Sequence, residues 1–223
     1  MIPPEQNAEF VAAMEDVLEV YKRPYDPQYP VVCLDEQSKQ LIAETRTPIA
    51  AAAGRPARVD YEYERRGTAN LFMQFDPLGG RRRVKVTERR TLIDFAHVLR
   101  ELVDEEYPAA TKIVAVMDNL NTHRPAALYE AFEPKEARRI LERLEIHYTP
   151  KHGSWLNMAE TELGILSRQC LDRRIEHREL LTNEVAAWET SRNTIKCRVN
   201  WRFTTHDART KLRRLYPVIE PVS

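Results

Sequence analysis

Lys112-Ile113-Val114-Ala115-Val116-Met117-Asp118 is a short apolar run that stops at a carboxylate. Its length, its β-branched residues and its polar border predict a strand buried on both faces of a sheet. Asp118 then falls at the carboxyl end of that strand, where open α/β sheets gather their ligands. Further out, the chain holds a second instance of the same pattern, Val31-Val32-Cys33-Leu34-Asp35-Glu36. If the two strands are parallel neighbours, Asp35 and Asp118 face one another. Two carboxylates held that close repel unless a proton or a cation joins them. Hard oxygen ligands suit Mg²⁺ or Mn²⁺. Two such ions, about 4 Å apart, can hold the attacking and leaving oxygens of an in-line phosphoryl displacement. A single Asp at a strand end is as readily a turn former. The repetition is what points to a site, and the site needs a third carboxylate.

The surrounding pattern supplies the layers. Residues 8–22 carry Phe10, Val11, Met14, Val17, Leu18 and Tyr21 at helical spacing. Pro24, Pro27 and Pro30 make a stiff linker, which places a domain boundary near residue 30. The stretch 45–60 reads as loop. Asn70–Phe75 and Arg83–Val86 flank Asp76-Pro77-Leu78-Gly79-Gly80, a hairpin signal. Thr91 caps a predicted helix to Glu106. Pro125 opens a helical pattern running to Leu144, with Glu133-Pro134 as its break. Ile146–Thr149 reads as a short strand, Ser154 as the cap of a helix to Arg173, and 178–192 as a further helix. This order predicts an α/β fold: a mixed sheet with helices on both faces.

Two words decide among the folds of that class. Asp118 opens Asp118-Asn119-Leu120-Asn121-Thr122-His123, and later comes His152-Gly153-Ser154-Trp155-Leu156-Asn157-Met158-Ala159-Glu160. From about Val31 to Glu189 the chain resembles the insertion-sequence transposases grouped with the mariner superfamily. These carry an acid after an apolar strand, a "DN..H"-like second acid and a third acid after a "W-L-N-x-x-E" word. The resemblance implies a ribonuclease H-like five-stranded mixed sheet and a DDE (Asp-Asp-Glu) site of Asp35, Asp118 and Glu160. It also implies two Mg²⁺ or Mn²⁺ ions on those acids, and cleavage and strand transfer at transposon ends. Its implied partners are double-stranded DNA, both transposon ends and target, and a second copy of the chain. Asn121, His123, Lys151, His152 and Asn157 become candidate DNA-contacting or supporting residues. The stretch between Asp118 and Glu160 is longer than the family norm. Only about 30 residues precede Asp35, so no helix-turn-helix region for transposon ends is expected, and the chain reads as a catalytic half.

Periodicity alone leaves the third acid open. On a helix Glu160 neighbours Leu156, Asn157, Leu163 and Gly164, while Glu162 neighbours Met158, Ala159, Ile165 and Leu166. Gly164 leaves room for a ligand beside Glu160, and the resemblance selects Glu160. Glu36 follows Asp35, so by strand alternation it faces the other side of the sheet and is expected to pair with a basic residue. His123 and His152 suit either loop hydrogen bonding or the orientation of a phosphate or water. Trp155 suits either base stacking or the core.

Composition bounds the rest. The chain has 223 residues, with 34 basic and 34 acidic side chains, so net charge neither favours nor excludes a nucleic-acid partner. Local basic blocks at Arg81–Arg90 and Lys196–Arg214 are candidate phosphate contacts. Three scattered cysteines form no C-x-x-C pair and argue against a disulfide framework or a thiolate zinc site. No apolar run is long enough to span a bilayer, and the expected location is the bacterial cytosol and nucleoid. The expected organisation is a helix and proline linker at 1–30, a catalytic domain at 31–192 and a basic extension at 193–223. Two other functions compete: a related nuclease or junction resolvase, and a silent fragment acting by dimerisation or competition with a full transposase.

Overall fold

The structure is a computed structural model, and it describes residues 5–58 and 60–218. Residues 1–4 and 219–223, the outer ends of the two flanking segments expected at 1–30 and 193–223, lie outside the described residues.

Five strands form one sheet: β1 Val31–Glu44, β2 Tyr63–Asp76, β3 Arg81–Thr87, β4 Ile113–Met117 and β5 Leu144–Tyr148. Their order across the sheet is β3-β2-β1-β4-β5. The first three make an antiparallel meander, and β4 and β5 join β1 in parallel. Alternate residues of each strand feed two cores. Val31, Cys33, Val114 and Val116 face a layer made by α1 (Ala8–Tyr21), α5 (Met158–Leu166), α6 (Arg178–Thr194) and α7 (Thr205–Lys211). Val32, Leu34, Ala115 and Met117 face α2 (Leu92–Glu101), α3 (Ala126–Ala131) and α4 (Pro134–Glu142). Each large apolar side chain removed from water this way contributes about 1.5–3 kcal/mol. The mixed sheet covered on both faces is the fold expected.

Several elements differ from their expected bounds, each for a physical reason. β1 continues eight residues past Glu36, to Glu44. Gln37-Ser38-Lys39-Gln40 carries no apolar pattern, and only the backbone ladder to β2 extends the strand. Asp35 therefore lies inside a long strand, not at its end. The site is open there because the parallel neighbour β4 stops at Met117, so beyond Cys33 that edge of β1 has no ladder partner. The pattern expected from Pro125 to Leu144 is two helices, broken between Ala131 and Pro134, because Glu133 is held extended before the proline. Ser154 opens one 3-10 turn, and the cap of α5 is Asn157.

The flanking segments share the inner core. Phe10, Met14, Val17 and Leu18 of α1 are buried with β1 and β4. Glu15 receives Arg209 in an ion pair at 2.8 Å and the Tyr216 hydroxyl at 2.8 Å, which joins α1 to the C-terminal segment. The proline linker thus connects two elements of one packed body. All three cysteines are free thiols.

Candidate active site

Asp35 and Asp118 are brought together by register. Val31, Val32 and Cys33 pair with Val114, Ala115 and Val116, so two residues further on Asp35 meets Asp118 on the same face. Helix α5 reaches this face through three side-chain tethers laid along β1. Asn157 Nδ2 donates to the Leu34 carbonyl at 2.8 Å, Gln37 Nε2 to Ser167 Oγ at 2.8 Å, and Lys39 Nζ to the Leu171 carbonyl at 2.7 Å. Asn157 also caps α5, its Oδ1 accepting from the Ala159 N–H at 3.1 Å. One buried amide thus ties the start of the helix to the residue before Asp35. Glu160, at the third helical position, lies between the first two tethers and is exposed. Gly153 closes the preceding turn, where an added Cβ would stand 2.5 Å from Pro150 Cγ. Tyr21 of α1 secures the same turn, its hydroxyl donating to the Leu156 carbonyl at 2.6 Å. Sequence reasoning missed that role, because Tyr21 reads only as part of an apolar helix face.

The remaining candidates divide. Glu162 is buried and engaged by Arg82 Nε at 2.6 Å and Arg192 Nη2 at 2.8 Å, so its carboxylate belongs to the interior. Glu36 faces the α2 side as alternation predicts, and its basic partner is His123, with Nε2 at 2.8 Å from Oε2. Asn121 is exposed at the start of the short turn 121–123, whereas Asn157 is buried. Lys151 and His152 are exposed in the turn after β5, His152 with φ of +67°. They line a cleft of about 610 Å³ together with Asn119, the residue after Asp118. Trp155 stacks on Trp201, with ring centroids 6.4 Å apart, and takes no part in the open face. Among the described residues, no three His, Cys, Asp or Glu side chains converge closely enough to hold a metal ion as they stand.

Residues 30–182 match the model of the DDE superfamily endonuclease family, well over half of the chain. The chain belongs to this family.

Solved structures similar to this DDE superfamily endonuclease share its fold at low identity. The Mos1 mariner paired-end complex with Mn is 17% identical over 88% of this chain and 60% of that one, with a TM-score of 0.57. The Mos1 strand transfer complex is 16% identical over 88% and 59%, with a TM-score of 0.60. The isolated catalytic domain of Mos1 mariner transposase is 12% identical over 88% and 89%, with a TM-score of 0.57. The chain therefore spans about 60% of the length of the longer Mos1 chains and most of the catalytic domain. Among curated proteins none matches the sequence.

The acids of the DDE endonuclease face act on one another electrostatically. Burial raises the Asp35 carboxyl, a hydrogen bond from the Glu36 N–H lowers it, and the charges of Asp118, Glu36 and Glu160 raise it again, to about 7. Glu160 is thus near enough for its charge to act on Asp35. Asp118 Oδ1 is buried against His123 Nδ1, but that contact lacks the direction of a hydrogen bond, and Oδ1 has no hydrogen-bond partner. An oxygen-only donor set, with the Asp118 side chain 30% exposed, fits a hard divalent ion. Glu160 sits on an exposed helical turn.

A stability prediction follows for the metal-free chain. Asp35 binds its proton more tightly folded than unfolded, so its ionisation opposes folding. That penalty is small near pH 4 and grows as pH rises to about 7, where it levels off. Asp35→Asn removes it. In EDTA the variant is expected to melt above the parent at pH 8, with a smaller gap at pH 5. Equal gaps at the two pH values would show that burial and neighbouring charge do not raise Asp35.

Proposed function

We propose that this chain is the catalytic unit of a transposase, cutting and joining DNA strands with Asp35, Asp118 and Glu160. Residues 31–192 form the catalytic domain, and the segments at 1–30 and 193–223 support it. The observation that carries this reading is the facing of Asp35 and Asp118 across the open edge of β1, with Asn157 anchoring the Glu160 helix beside them. Glu162 is spent on the buried Arg82 and the half-buried Arg192, which leaves Glu160 as the third acid. These three would hold two Mg²⁺ or Mn²⁺ ions, which when bound supply the charge that activates an attacking hydroxyl and stabilises the leaving oxygen. The chain's own part is to set the oxygens. Asp35 is held by β1, Asp118 by the end of β4, and Glu160 is drawn in from α5 when substrate arrives. Lys151, exposed beside Asn119, can neutralise a phosphate of the strand being cut. DNA ends and target are the substrates, a second copy of the chain the partner, and the bacterial cytosol and nucleoid the place of action. The test is nicking of supercoiled DNA by the purified chain in Mg²⁺ and in EDTA. No nicking in Mg²⁺ favours the silent-fragment alternative.

The surface charge shapes how DNA is held. Most of the Arg81–Arg90 block is already engaged: Arg81 and Arg83 with Glu106, Arg83 also with Glu189, Arg82 with Glu162 and Lys85 with Glu101. Arg89 and Arg90, with Lys196, Arg198, Arg202, Arg213 and Arg214, make no ion pair among the described residues. Phosphate contacts of this kind position a protein without reading sequence. Binding is therefore expected to be nearly sequence-blind and to weaken steeply between about 50 and 200 mM salt. Competition between a terminal-repeat duplex and random duplex measures this. A preference of about a thousandfold would reveal a recognition element.

A further inference from the structure

We infer that Glu36 and His123 are positioning residues for Asp118: together they carry the β1–β4 pairing past its last backbone contact and aim one oxygen of Asp118 into the site. The inference rests on the proposed role of Asp118 as a ligand. The backbone register between the two strands ends at Cys33 and Val116, and Asp118 lies beyond the end of β4. Nothing in the sheet itself fixes its carboxylate. The His123 ring, 1% exposed, fills that gap. Nε2 meets Glu36 Oε2 at 2.8 Å, and Nδ1 lies against Asp118, 3.2 Å from its carbonyl and in contact with Oδ1.

His123 is itself held through its ring and its backbone. Phe95 lies against it with centroids 4.4 Å apart, Tyr148 donates its hydroxyl to the His123 carbonyl at 2.9 Å, and the His123 N–H closes the turn onto the Leu120 carbonyl at 3.1 Å. Adjacent residues of β1 thus serve two purposes. Asp35 enters the acid cluster on one face, and Glu36 on the other face supports the second acid through His123. Oδ1 of Asp118 is buried, while its side chain as a whole keeps 30% exposure, so Oδ2 is the oxygen left to face outward.

Stability alone is a poor reason for this arrangement. A buried ion pair seldom stabilises more than an apolar replacement of the same volume. Outer partners that orient a metal ligand from behind, in contrast, typically change metal affinity or activity by about 10–100-fold when removed.

The experiment titrates Mn²⁺ into the whole chain with a short DNA duplex, following free Mn²⁺ by electron paramagnetic resonance. The nicking rate is recorded against metal concentration in parallel. His123→Ala is expected to raise the Mn²⁺ midpoint by about 10–100-fold, with nicking recovering at high Mn²⁺. Glu36→Ala, which leaves His123 and Asp118 in place, is expected to shift it less in the same direction, and serves if His123→Ala does not fold. Glu36→Gln, still able to accept from Nε2, should lie nearest the parent. A merely structural pair would lower the melting temperature and leave the midpoint unchanged, and that result overturns the inference. Asp118→Asn separates the two levels. If it moves the midpoint while the His123 and Glu36 variants do not, only the positioning role fails. If neither it nor they move the midpoint, or the parent shows no saturable Mn²⁺ binding, the ligand role of Asp118 fails as well.

Discussion

Asp118→Asn is expected to lower Mg²⁺-dependent nicking of supercoiled DNA by about 10²–10³-fold or more, the loss that follows removal of one preorganised charge-stabilising group. The substitution keeps the shape of the side chain and removes its charge. In the metal-free chain that should relieve repulsion, since Asp118 is one of the charges raising Asp35. Nicking should collapse while the fold survives, the relief at Asp35 being set against a weaker contact with His123. Asp35→Asn and Glu160→Gln should behave the same way. Gel quantification of nicked plasmid, alongside thermal melting, measures both. An Asp118→Asn protein that nicks within a few-fold of the parent would remove Asp118 from the site.

Glu162→Leu should give the opposite signature, a loss of stability. Arg82 has no exposed side-chain surface, stacks on Phe75 with its guanidinium carbon 4.6 Å from the ring centroid, and donates Nε to Glu162. Removing the carboxylate strands a buried cation and also frees Arg192. Breaking a buried pair in this way costs about 3–5 kcal/mol. For a chain of this size that corresponds to a fall in melting temperature of roughly 6–20 °C. Arg82→Met combined with Glu162→Leu should recover part of the loss, because two apolar groups leave less charge uncompensated than one orphaned arginine. Thermal melting of the single and double variants in EDTA reads this directly. A single variant within about 1 kcal/mol of the parent would mean that the interior around Arg82 admits water. The contrast between Glu160→Gln and Glu162→Leu also separates a residue that serves chemistry from one two positions away that serves packing.

Much of the framework was legible in the chain itself. Val31–Leu34 and Ile113–Met117 announce buried strands because residues covered on both faces must be apolar throughout. Thr91 with Asp94 forms the expected cap of α2, a local interaction that needs nothing beyond its own four residues. The polar end of β1 was not legible, since residues 37–44 are strand only because β2 lies beside them. Nor was the pairing of the basic block, whose partners Glu106, Glu162 and Glu189 come from three distant segments.

The sequence by itself determined the two acids that follow buried apolar runs, the Asn157–Glu160 word and the layered order of elements, because each depends on the spacing of neighbours along the chain. Tertiary structure alone decided that Asp35 faces Asp118 at an unpaired strand edge, that Glu162 is consumed by Arg82 and Arg192, and that Glu36 reaches His123. Those outcomes depend on register and burial between segments that are far apart in sequence. A carboxylate acquires its role from the charges that folding places around it, and no local spacing encodes them.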